Sequence, residues 1–167
     1  MNPPAPFQRP LSLRALTEGE RALAHEVFGE GLAAERVRIL ALPVWPRAFA
    51  AGSRLMVFPT AAAVSDFAQA PLGLQGLFVH ELTHVWQAQR GVGLLWAKLR
   101  AGDGPEAYAY DLGSGHSFGD LNIEQQAMVV QHAFLASRQA QTPFPALAYG
   151  AFLARFCAPR DDKPWKL

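Results

Sequence analysis

The run "LFVHELTHVWQAQRG", Leu77 to Gly91, places His80, Glu81 and His84 in the pattern H-E-x-x-H. On a helix, at about 100° per residue, the two histidines differ by about 40° around the axis and stand one turn apart. Two imidazoles in that relation can point at one zinc ion. Glu81 leaves the helix at another angle. It fits poorly as a third ligand with them and well as a general base that takes a proton from water at the ion. The chemistry such a set performs is metal-assisted hydrolysis. The blander alternative is a helix that spends these side chains on ordinary hydrogen bonds. The flanks, Leu77-Phe78-Val79 and Val85-Trp86, argue against it. Buried imidazoles and a buried carboxylate are costly unless a metal or partner satisfies them.

A catalytic zinc takes three protein ligands and keeps one position open. The arrangement with Gly three and His six residues after the second histidine is absent, because those positions are Gln87 and Arg90. The inverted H-x-x-E-H pattern is absent too. Cys157 is the only cysteine, which excludes a cysteine-based zinc site and a disulfide framework. What remains is an acid from a second helix, with Glu124 in "GDLNIEQQAMVVQHAF" as the candidate. It sits beside Ile123 on the edge of an apolar stripe, where a half-buried carboxylate is expected. Ala127, one turn on, is small enough to let two helices approach. Asp120 and His116 are the alternatives, although capping a helix explains Asp120 more simply. His132 is about 180° from Ile123 around the helix and is expected to face solvent. His25 belongs to another helix.

The elements that must position these residues are legible in outline. Thr17-Glu18-Gly19-Glu20 is a capping box, so a helix starts at Thr17. "RVRILAL" alternates and reads as a strand; "RLMVFP", Arg54 to Pro59, is a second. Leu74, Leu77, Phe78, Leu82, Val85 and Trp86 recur at the helical period from about Leu74 to Arg90, with Gly91 as the cap. "GDGPEAYAYDLGSGHSFGD" reads as loop with a short strand around Tyr108 to Leu112. Asp120 is expected to cap a helix to about Arg138 with core residues Ile123, Ala127, Val130 and Phe134. "ALAYGAFLARF" is a last helix. Residues 1–10, rich in proline, are expected to be flexible. The expected fold is α+β and mainly helical: one domain over 1–167, with a small sheet including "RLMVFP" flanking the H-E-x-x-H helix.

The 167 residues suit one domain, and 50% hydrophobic content suffices for a core. Charged residues are 17%, and the net charge of +1 gives no field for nucleic acid or an anionic membrane. No run approaches the ~20 apolar residues of a membrane span. The start lacks an apolar signal-peptide core. The expected location is the cytoplasm, with export, if any, by a route without a cleaved signal.

"HELTHVWQ", followed by "YAYDL" and "NIEQQA", resembles small gluzincin-like zinc metallopeptidase domains of bacteria. Some of these are related to, or encoded beside, the spike proteins of type VI secretion systems. The likeness runs from about Arg36 to Phe134, with "LTEGERALAHEVFGEGL" in keeping. It implies a zincin-like fold, zinc on His80, His84 and Glu124, and Glu81 as base. It also implies a peptide or protein substrate and a secretion spike as partner. Larger gluzincins often carry an acid four residues after the ligand glutamate; here that position is Met128, so support for a histidine must come from elsewhere. An electrophile for the developing oxyanion is expected from Tyr110, with Tyr108, His116 and Arg90 as alternatives. The rival reading is a zinc-containing adaptor of a secretion apparatus with little or no hydrolysis. Trp45, Trp96 and Trp165 would suit its docking surface. Hydrolysis of a non-peptide amide, such as cell-wall material, uses the same ligands.

Overall fold

The capping box at Thr17 forms as the sequence predicts. Thr17 Oγ1 accepts from Glu20 N at 3.0 Å, and Glu20 Oε2 accepts from Thr17 N at 2.8 Å, starting helix α1 (Glu18–Phe28). The computed structural model describes residues 6–156, without the side chains of 155 and 156. Glu20 does more than cap. It is fully buried, both its oxygens meet the Arg14 guanidinium at 2.7 Å, and its Oε1 accepts from Phe67 N at 2.8 Å. One carboxylate thus ties α1 to strand β1 (Leu13–Ala15) and to the 3-10 turn that precedes the central helix.

The sheet has four strands in the order β1-β2-β4-β3, with β2 at Arg38–Leu42, β3 at Phe49–Ala50 and β4 at Leu55–Pro59. β2 runs antiparallel to β1, with Leu13 opposite Leu40, and parallel to β4, with Leu40 opposite Val57. β3 closes the sheet antiparallel to β4, with Ala50 opposite Met56. Alternation along β2 puts Ile39 and Ala41 inside. Met56, Val57 and Phe58 of β4 are all buried, as expected of an inner strand covered on both faces.

Helix α2 (Leu72–Gln89) is the centre of the molecule. It is buried on every side from Phe78 to Gln87, rather than along one stripe as the periodicity suggests. Sheet strands β3 and β4 pack on one side, and helix α4 (Ile123–Ser137) crosses the other. Phe67 links sheet to helix, with its ring 4.5 Å from Phe58 and 5.0 Å from Phe78. Gly76 permits the approach of α4: a Cβ there would lie 3.1 Å from Leu135 Cδ2. Ile123, Ala127, Val130 and Phe134 form the buried face of α4 as expected. Helices α3 (Leu94–Ala101) and α5 (Ala146–Phe156) complete the described residues.

The α+β class therefore holds, with five helices and a four-stranded sheet among the described residues. Several expectations are corrected. No strand forms at 108–112: Tyr108 and Leu112 lie in turns, 109–111 are irregular, and the Tyr110 hydroxyl is held by His132 and Tyr149 instead. Asn122, not Asp120, caps α4, with its side chain accepting from Glu124 N and Gln125 N. Asp120 instead accepts from the Ser117 amide and hydroxyl, both at 2.7 Å. Within the stretch expected to be flexible, 6–10 is held: Phe7 bridges to Val64, and buried Gln8 donates to Ser12 O and Ile39 O. Residues 1–5, Cys157 and Trp165 lie outside the described residues. No helix among those described is long and apolar enough to cross a membrane.

Glu20 and Arg138 provide a contrast in stability. Glu20→Ala strands the partly buried Arg14 and two amides, so it is expected to destabilise the fold by about 3–5 kcal/mol. Arg138→Ala loses the more exposed pair with Glu26 and the stacking of the guanidinium on Phe134, and about 1–2 kcal/mol is expected. Urea denaturation of both variants tests this, and equal losses would contradict the role given to Glu20.

Candidate metal centre

His80 and His84, one turn apart on α2, hold their rings with centroids 4.9 Å apart and planes at 82°. Each ring is fixed from behind. His84 Nδ1 meets Gln87 Oε1 at 2.8 Å, and His80 Nδ1 meets Gln131 Oε1 at 3.1 Å. The orientation of the Gln87 amide is determined, because its Nε2 donates to Ile123 O at 3.1 Å and to Gln126 Oε1 at 2.9 Å. An amide oxygen can only accept, so Nδ1 carries the proton on His84, and on His80 with the Gln131 oxygen facing it. In the neutral imidazoles the Nε2 lone pairs therefore point away from the glutamines.

They point at Glu124. Its Oε2 lies 3.4 Å from His80 Nε2 and 3.4 Å from His84 Nε2. The carboxylate is 1% exposed, and Oε2 has no hydrogen-bond partner. Three electron-rich atoms converging in a buried place need a cation or protons between them. Bonds of about 2.0–2.2 Å at tetrahedral angles would set ligand atoms about 3.3–3.6 Å apart, which both separations match. The donor set, two imidazoles and one carboxylate, also suits zinc. His80, His84 and Glu124 can hold a metal ion.

The other Glu124 oxygen is occupied. Lys98 of α3 donates to Oε1 at 2.6 Å and to the Tyr108 hydroxyl at 3.2 Å. Burial alone would raise the Glu124 pKa, but the facing His80 and His84 rings and the Lys98 ammonium hold the carboxyl well below the ordinary range. Glu81 goes the other way. Burial pushes its carboxyl up, against the lowering influence of the two histidines, and its Oε2 has no partner. Burial lowers the His84 pKa, but Glu124 and Glu81 outweigh it and raise the net value. The field that favours a proton on His84 equally favours a cation.

These groups open into a cleft of about 610 Å³. His80, Glu81, His84 and Glu124 line it, with the segment 47–52 around β3 on one side and Leu94, Leu95 and Lys98 of α3 on another.

Over 84% of its length the chain matches the effector domain of Pseudomonas aeruginosa VgrG2b, with a TM-score of 0.66 and 34% sequence identity, covering 82% of that domain. The chain belongs to the VgrG2b effector-domain family. It is also 36% identical over 135 residues to the type VI secretion system spike protein VgrG2b of Pseudomonas aeruginosa. That match takes in 75% of this chain, which spans 13% of the length of the spike protein. No protein-family model matches the chain. The link to type VI secretion spike proteins suggested by the sequence thus stands at the level of the effector domain.

Of the remaining sequence candidates, Tyr108 lines the cleft and the others lie elsewhere. Asp120 is exposed and turned onto Ser117, and His116 is exposed. Arg90 is exposed, its guanidinium 5.0 Å from the centre of the Trp86 ring. Tyr110 is not brought to the cleft: its hydroxyl lies 2.6 Å from both His132 Nδ1 and Tyr149 Oη, and burial together with Tyr149 raises its pKa. His132 consequently does not face solvent; it is half-buried under Tyr110, because α5 and the 108–112 segment cover that side of α4. His25 is exposed on α1 near Glu30. The sequence reading missed Lys98, Gln87 and Gln131. A helical signal over "LLWAKLRA" could have found α3, and Gln87 stands three residues after His84, but Gln131 carries no local signal.

Gln87→Met keeps chain length and loses the bonds to His84, Ile123 and Gln126. Zinc affinity is expected to fall about 10–100-fold, as for other lost supports of ligand histidines. Competition with a chromophoric chelator measures it, and wild-type affinity would contradict the orienting role.

Proposed function

We propose that this domain is a zinc-dependent peptidase of gluzincin type, acting as an effector associated with a type VI secretion spike. The observation that carries the reading is the buried Glu81 carboxylate, with an unpartnered Oε2, in the same open cleft as the His80–His84–Glu124 convergence. A purely structural metal site has no use for such a base. A zinc ion held by His80 Nε2, His84 Nε2 and Glu124 Oε2 would supply a Lewis acid that acidifies water and polarises the substrate carbonyl.

The chain's own groups do the rest. Glu81, made more basic by burial, takes a proton at its free oxygen as water oxygen attacks the carbonyl carbon. It returns that proton to the amine nitrogen as the carbon–nitrogen bond breaks. Tyr108 lines the cleft and replaces Tyr110 as the phenol placed to steady the oxyanion. Lys98 has no lone pair to offer, so its bond to Tyr108 leaves the phenolic proton free for a carbonyl oxygen. β3 is an edge strand of the sheet and lines the cleft, so an extended peptide can add to it. The relation to VgrG2b supports delivery by a secretion spike rather than a cytoplasmic role.

Glu81→Gln keeps size and hydrogen bonding and removes the base. It is expected to retain zinc and lose about 10²–10⁴-fold in peptide hydrolysis. Glu124→Ala, His80→Ala and His84→Ala are expected to lose zinc as well. Elemental analysis and cleavage of a peptide library, with a cell-wall preparation alongside, provide the readouts. Cleavage that survives Glu81→Gln would overturn the mechanism. Wild-type protein that holds zinc, binds a spike protein and cleaves nothing would establish an adaptor instead.

A further inference from the structure

Glu124 is divided between two duties. Oε1 is gripped by Lys98 Nζ at 2.6 Å, while Oε2 faces the two Nε2 atoms at 3.4 Å. The lysine comes from α3, a helix with no fully buried residue. Core packing therefore does not explain why Lys98 reaches inward from it. Nothing else holds Lys98 as closely: Tyr108 Oη is 3.2 Å away and Asp103 Oδ1 3.9 Å. An unrestrained carboxylate can offer a metal both oxygens. With Oε1 committed to an ammonium, only Oε2 is available.

Resting on the zinc reading above, we infer that Lys98 is a positioning residue that restricts Glu124 to one-oxygen coordination, and so keeps a coordination position open for water and substrate. The same ammonium repels the ion it stands beside. Lys98 thus trades some metal affinity for an open site. An ordinary structural residue would lose affinity and activity together when replaced; this one should separate them.

The test is X-ray absorption spectroscopy of the zinc-loaded protein, with chelator competition and peptide hydrolysis, for wild type, Lys98→Met, Lys98→Gln and Lys98→Arg. Arg100→Met on the same helix is the control. Lys98→Met is expected to add about one oxygen to the zinc shell, given the three-ligand site it starts from. Its zinc affinity is expected to be equal to or higher than wild type, while hydrolysis falls about 10–100-fold. Lys98→Arg restores the wild-type shell, because a guanidinium can hold the same oxygen. Lys98→Gln, which keeps a weaker donor, falls between, and thermal melts confirm that each variant folds. A wild-type shell in Lys98→Met, or loss of zinc from it, overturns the inference while leaving the zinc reading intact. Absence of zinc from wild-type protein overturns both. An altered shell in Lys98→Met with no hydrolysis by any variant, wild type included, supports the positioning role and counts against the peptidase.

Discussion

A carboxylate with 1% of its surface exposed is the constraint on which the rest of the site depends. Glu124 cannot sit inside without compensation, and the compensation must come from several elements at once. α2 supplies two imidazoles and α3 supplies an ammonium. For α2 and α4 to bring those groups within a few ångströms, their backbones must lie close. Small residues at the contact, Gly76 on one helix and Ala127 on the other, allow it. Leu135 already touches the space a Cβ at Gly76 would enter, so the helices are near their limit of approach. The packing and the charge arrangement are therefore one problem with one solution.

Two glutamates share this cleft, and their surroundings drive them in opposite directions. Burial opposes the charged form of both. Glu124 faces Lys98 and two histidines and stays ionised, the state in which it can hold a metal ion. Glu81 has an unpartnered oxygen and its pKa rises, the direction that suits a group accepting a proton. The division does not come from residue type or from distance to the histidines alone. It comes from direct contact: the two histidines first, and then the α3 lysine, meet the Glu124 carboxylate, while Glu81 Oε2 meets no partner. Among the described residues, Lys98 makes the closest ion pair of the site.

What the sequence revealed was what local geometry controls. The Thr17 capping box, the i, i+4 histidines and the apolar face of α4 depend on spacing along one chain segment, and each formed as expected. Glu124 was found by its place on that face, although its burial is more complete than an edge position suggested. What the sequence concealed depends on segments meeting. Gln131 serves His80 from 51 residues away, and Lys98 serves Glu124 from 26 residues away. Tyr110 and Tyr108 are equivalent on paper, two residues apart in a loop. Only the docking of α5 decides that the former turns to His132 and Tyr149 while the latter faces the cleft. Asp120 is not the cap of α4 for a smaller reason: a 3-10 turn from Phe118 to Asp120 intervenes and uses the aspartate itself.

The walls of the cleft follow from the same lysine. β3 is held by the sheet and is fixed with respect to α2. α3 has no such anchor in the core, and its Leu95, Trp96 and Leu99 are largely exposed. Its inward hold on the site is the bond from Lys98 to Glu124, reinforced by the Tyr108 hydroxyl and ring. The position of this wall and that of the Glu124 carboxylate are thereby coupled. A displacement of α3 at Leu94 or Leu95, which line the cleft, pulls on Glu124 Oε1 through Lys98, and a change at Glu124 is felt along the wall. One wall of the cleft is thus set by the sheet, and the other by a contact to a carboxylate that can hold a metal ion.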